Sequence, residues 1–156
     1  MLEKVEQAYR EFCRERFSPT SEKRIIDMEQ KIGVRLPDEY RHYLLSYNGG
    51  AFNDPIMPVA EDGCPEDCLD VMFGIVEDPI GCNLASSGNL NLFDDNHPAI
   101  ILPIGYSLMG NLLVLRTEPG EELGWILLKI QDSDDYFVLA KSLDDFFGRL
   151  EVNPDI

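Results

Sequence analysis

Between Arg41 and Arg116 the chain carries no lysine or arginine, although ten aspartates and glutamates fall within that stretch. Such a field repels phosphate backbones, which argues against direct nucleic-acid binding. Long apolar runs are missing too. None approaches the roughly 20 residues of a membrane-spanning helix, so no membrane partner is expected. The opening Met1-Leu2-Glu3-Lys4-Val5-Glu6-Gln7 places charges where a signal peptide needs apolar residues. With cysteine limited to positions 13, 64, 68 and 82, this predicts reduced thiols in a cytoplasmic protein. Repeats, low-complexity tracts and dividing linkers are absent. The 156 residues therefore read as a single domain, 1–156, and their 44% hydrophobic content suffices for a core.

Chemical machinery is equally sparse. A zinc site needs four ligands, and Cys64 and Cys68 have only Cys82 and His97 to complete one. Zinc and a Cys64–Cys68 disulfide both rank below ordinary free thiols. His97, after Asp94-Asp95-Asn96, reads as a solvated turn residue rather than a general base. His42 reads as a surface or packing residue. Asp132-Ser133-Asp134-Asp135 lacks the glycine and final glutamate of a calcium loop and reads as a hairpin turn. Gly105-Tyr106-Ser107-Leu108-Met109-Gly110 has no lysine and is no phosphate loop. The expectation is a non-catalytic protein with no cofactor and no metal.

What is present in excess is negative charge, a formal −16 distributed unevenly. Residues 1–60 are nearly neutral, whereas 61–156 hold 19 acids against 4 bases. A field of this kind attracts and steers a basic partner. Seven acids lie between residues 61 and 78 alone. Glu61, Asp62, Glu66, Asp67, Asp70, Glu77, Asp78, Asp94 and Asp95 are accordingly the expected contacts with a protein partner whose surface is basic.

The periodicity predicts helices first. Leu2, Val5, Tyr9, Phe12 and Cys13 mark one apolar face, with Glu6 and Arg10 paired across a turn. Ser18-Pro19 is expected to end that helix and open a second, which carries Ile25, Met28 and Ile32 and stops at Gly33. Leu36-Pro37-Asp38-Glu39 starts a third, with Tyr40, Tyr43, Leu44 and Tyr47 inward, and Asn48-Gly49-Gly50 breaks it. Short strands are predicted at Leu69–Val76, Ala99–Ile104, Asn111–Arg116, Gly124–Ile130 and Tyr136–Ala140, with Gly81–Asn96 a loop containing a helical turn. Trp125 is expected to be a sheet residue packed on a helix. The last three strands are joined by turns too short for crossovers, so they should pair antiparallel. Ser142 then caps a final helix, with Asp145 as capping-box partner. The fold class is α+β, with N-terminal helices and a C-terminal helix packed on a mainly antiparallel sheet.

Leu36-Pro37-Asp38-Glu39-Tyr40 followed by Asn48-Gly49-Gly50 resembles the most recognisable stretch of the SUKH superfamily. Met72-Phe73-Gly74-Ile75, Leu102-Pro103-Ile104-Gly105, Gly110-Asn111, Gly124-Trp125-Ile126 and Leu139 to Phe147 follow in the order that family shows. The resemblance runs from about Ser21 to Leu150 and departs at 53–68 and 83–96. It implies an α+β fold. For bacterial members it also implies immunity proteins that neutralise polymorphic toxins, often nucleases, by binding. The alternative branch implies a regulatory or scaffold protein of the same fold with no toxin partner.

Overall fold

The computed structural model describes residues 2–76 and 101–155. The expected loop and helical turn at Gly81–Asn96 lie outside them. Helix α1 (Glu3–Phe12) buries Val5, Ala8, Tyr9 and Phe12 and carries the Glu6–Arg10 pair at 2.7 Å. It ends at Phe12, well short of the expected stop at Ser18-Pro19, because the chain continues directly into a strand, β1 (Cys13–Arg16). The second helix, α2 (Glu22–Ile32), is capped by Ser21, whose hydroxyl accepts the Arg24 N–H. Ser18 is therefore not the cap. Gly33 closes α2 in the left-handed region at φ 76°, as expected of a glycine there. Helix α3 (Asp38–Ser46) follows Pro37 and buries Tyr40, Tyr43 and Leu44.

The other strands are β2 (Gly50–Phe52), β3 (Leu69–Met72), β4 (Ile101–Ser107), β5 (Leu112–Arg116), β6 (Ile126–Lys129) and β7 (Tyr136–Ala140). Helix α4 (Leu143–Gly148) follows them. The strands form one sheet in chain order, every neighbouring pair antiparallel. The α+β expectation holds, with two more strands near the N-terminus than the sequence reading placed. Pro103 pairs with Val114 inside β4, next to a register shift between Pro103 and Gly105, and such a bulge is where a sheet accommodates proline.

The family-like motifs turn out to be joints of this frame. Glu39 reaches across to accept the Leu143 and Asp144 N–H groups at 2.7 and 3.3 Å, so α3 caps α4. Asp144 in turn accepts the Lys4 and Val5 N–H groups and caps α1. Ser142 accepts the Asp145 N–H at 3.0 Å, while the Asp145 carboxylate faces Arg149. Asn48 exchanges hydrogen bonds with Ile75 and also donates to the Ser18 carbonyl. Beneath these joints, the Tyr9 hydroxyl donates to the Gly49 carbonyl at 3.0 Å and shares a 2.6 Å bond with Tyr43. Burial pushes the Tyr9, Tyr40 and Tyr43 phenols well above their ordinary range. Trp125 is half-buried just ahead of β6, with the Lys141 ammonium 5.2 Å from its ring centre.

Candidate functional site

The link between β2 and β3 carries four of the nine acids expected to face a partner, Glu61, Asp62, Glu66 and Asp67, and Asp70 follows on β3. The link crosses to the far edge of the sheet and is tied down as it goes. Ile56 bridges both Cys68 and Glu151, and the Ala60 N–H reaches the Val138 carbonyl on β7. The Glu61 carboxylate accepts the Val138 N–H at 2.7 Å, closing the open edge of β7. Glu61 is thus exposed, but one of its oxygens serves the fold. Asp62 and Glu66 are exposed, and among the described residues no hydrogen bond or ion pair engages their carboxylates.

Asp67 behaves differently. It is only 4% exposed, and its carboxylate accepts the N–H groups of Cys68 (2.8 Å) and Met109 (3.2 Å) and the Asn111 side-chain amide (2.9 Å). A carboxylate so placed is a brace, and it cannot also meet a partner. Asp70 is partly covered and lies 3.8 Å from Arg14. Burial raises its carboxyl above the ordinary range, the nearby Asp54 adds to this, and Arg14 opposes it. Glu77, Asp78, Asp94 and Asp95 lie outside the described residues.

The brace at Asp67 supports the β4–β5 turn, which the sequence reading had considered only as a phosphate loop. Its tip exposes Leu108 (54%) and Met109 (66%). An apolar pair inside a turn contradicts the usual polar patterning of turns, and that was the signal to follow. The acids of the β6–β7 turn, Asp132, Asp134 and Asp135, are exposed as well. That turn is joined to the β4–β5 turn by the Gln131 N–H, which donates to the Asn111 Oδ1 at 2.8 Å.

Among the described residues, no group of three or more histidines, cysteines or acids is arranged to hold a metal ion. Cys82 and His97, the remaining members of the zinc set considered above, lie outside those residues. Cys13, Cys64 and Cys68 are free thiols. Burial pushes the Cys64 thiol up, with Glu61 and Asp67 adding to the effect, and it pushes Cys68 up beside Asp67, Asp54 and Glu66. Both should therefore react slowly, since the thiolate is the nucleophile. Peptide-resolved alkylation with iodoacetamide at pH 7.5 is expected to label Cys64 and Cys68 several-fold more slowly than free cysteine. Labelling at the free-cysteine rate or faster would contradict it. No helix among the described residues is long and apolar enough to cross a membrane.

Two proteins of Bacillus subtilis (strain 168) are similar to this chain over most of its length. The SPbeta prophage-derived uncharacterized protein YokK is 25% identical, covering 97% of this chain and 86% of its own. The uncharacterized protein YnaB is 26% identical, covering 88% of this chain and 87% of its own. The family match spans residues 19–149, which includes α2, α3, α4, the Asn48–Ile75 bonds and the Glu39 cap of α4. The chain belongs to the SMI1 / KNR4 family (SUKH-1).

Proposed function

We propose that the chain is a non-catalytic immunity module, which binds a toxin domain with a basic groove and blocks it one to one. The observation that carries this reading is the exposed acidic link. Asp62 and Glu66 project from a stretch of the chain without a single lysine or arginine from residue 42 to residue 115. A toxin that cuts nucleic acid must line its groove with lysine and arginine, and an acidic loop can occupy that groove in place of phosphates. Glu77, Asp78, Asp94 and Asp95 belong to the same base-free stretch and extend the proposal by their charge. Membership of the family supports a binding role, and the prophage-derived name of one relative fits a module carried on a mobile element.

The test is the activity of a nuclease toxin domain identified by co-purification with this chain, measured against rising amounts of the purified protein. Inhibition should saturate near one equivalent and survive Cys64→Ser/Cys68→Ser and His97→Ala. Asp62→Lys/Glu66→Lys should slow association about ten-fold at low salt and flatten its salt dependence, because steering acts on the encounter. Glu61 is left intact in this variant, since its reversal would also open the edge of β7. Sub-stoichiometric inhibition lost with one cysteine or histidine would mean catalysis and end the binding reading.

A further inference from the structure

Resting on that reading, we propose that Leu108 and Met109 are the apolar anchor of the interface. They would seat in an apolar pocket on the toxin domain, rimmed by lysine or arginine.

Two large apolar side chains side by side at a turn tip, 54% and 66% exposed, are costly to leave in water. A mobile turn would let them fold back. This one is held from every side. Leu108 N–H donates to the Cys68 carbonyl at 2.9 Å, and Met109 N–H donates to the Asp67 carboxylate at 3.2 Å. Gly110 N–H closes the turn on the Ser107 carbonyl, and Asn111 N–H reaches the Ser107 hydroxyl, both at 3.0 Å. The Asn111 side chain links Asp67 on one side to the Gln131 N–H on the other. A buried carboxylate without a cation in its hydrogen-bond set is an expensive brace for a surface turn. Its effect is to fix the backbone of the tip so that the two side chains are presented outward, which removes the backbone part of the ordering cost of binding.

The charge around the tip selects the partner. Glu66 adjoins Asp67, and Asp132 adjoins Gln131, so each clamp on the tip has an exposed acid beside it. Asp134 and Asp135 stand exposed in the same β6–β7 turn. Lys129, the one base of β6, donates inward to the Ser133 carbonyl at 2.8 Å. An apolar centre inside a charged rim is the anatomy of a protein interface, with the centre supplying most of the affinity. Negative rim charge calls for a positive rim opposite, and it disfavours an anionic lipid surface.

The two parts of the interface should separate kinetically, since rim charge sets the on-rate and the buried anchor sets the off-rate. Surface plasmon resonance against the purified toxin domain of the inhibition test is the measurement. Leu108→Ser/Met109→Ser should speed dissociation about 100-fold, with association within about two-fold of wild type. Met109→Leu, which keeps the apolar volume, should bind like wild type. An unchanged melting temperature would establish that the serine variant is folded, as expected for exposed side chains. If that variant binds like wild type while Asp62→Lys/Glu66→Lys binds slowly, the anchor is refuted and the immunity reading stands. If the wild-type protein does not bind the toxin domain, both fall. If the protein dimerises by itself and the serine variant does not, the turn serves self-association and the proposal is overturned.

Discussion

Replacing Gly49 by alanine is expected to cost about 4 kcal/mol, a large share of the roughly 5–15 kcal/mol that holds a domain folded. Gly49 has φ +81°, a left-handed conformation that disfavours a β-carbon by about 1 kcal/mol. The larger part of the cost is contact. A β-carbon here would lie 2.5 Å from the Met72 carbonyl oxygen and 2.7 Å from that of Phe73. Both are backbone atoms of the adjoining chain, so neither can swing away. Gly33 supplies the control, because it has nearly the same angle, φ +76°, with nothing within 4 Å of the same β-carbon. Gly33→Ala should therefore cost only about 1 kcal/mol. Guanidinium unfolding of the two variants measures the difference directly, provided the m-values agree. Equal midpoints for both would show that the backbone angle alone accounts for the glycine.

That comparison also explains which parts of the fold could be read from the sequence. Asn48-Gly49-Gly50 was legible as a helix breaker, since glycine after a helix is a local signal. Its partners were not. Gly74 is required because a β-carbon there would meet the Asn48 carbonyl, and Gly105 because one would meet that of Val71. Those are contacts between distant segments, and a sequence records only that a glycine is present. Strand β7, Tyr136–Ala140, was read to the residue because its aromatic and branched side chains sit between clear turns. Strand β1 was missed. Cys-Arg-Glu-Arg has one half-buried residue and three exposed ones, as an edge strand can, and it directly continues a helical apolar stripe. The cap of α2 was misplaced for a similar reason. Ser18 before proline and Ser21 before glutamate carry equally good start signals, and only the hydrogen bond to Arg24 decides between them.

The charge of the candidate surface was legible, but the duty of each acid was not. Asp67 and Glu66 are adjacent acids in the same base-free stretch, yet one is buried and the other is free. What distinguishes them is Met109 and Asn111, 42 and 44 residues downstream of Asp67. Composition can state that a region is acidic. It cannot state which carboxylates the fold has already engaged.

Asp67→Ala is the second substitution with a large expected effect, about 3 kcal/mol. It strands the buried Cys68 N–H and Asn111 amide and frees the part-buried Met109 N–H, and each buried donor left unpaired costs about 1–3 kcal/mol, with incomplete additivity. Asp67→Asn should not rescue it fully. The new amide would set an NH2 against the Asn111 NH2, and Asn111 cannot simply turn over, because its oxygen is held by the Gln131 N–H at 2.8 Å. A cost of about 2 kcal/mol is expected for this near-isosteric change. Asn111→Asp alone should be at least as damaging, since it brings two carboxylates together in a buried site. Exchanging the pair, Asp67→Asn with Asn111→Asp, restores a donor facing an acceptor and leaves an oxygen for Gln131. The double variant should therefore be more stable than the sum of the single losses by about 1–3 kcal/mol. Urea unfolding of the four proteins gives the coupling, and hydrogen exchange at the Met109 amide reports whether the turn stays braced. Additive losses would mean that Asp67 and Asn111 do not act through the bond between them.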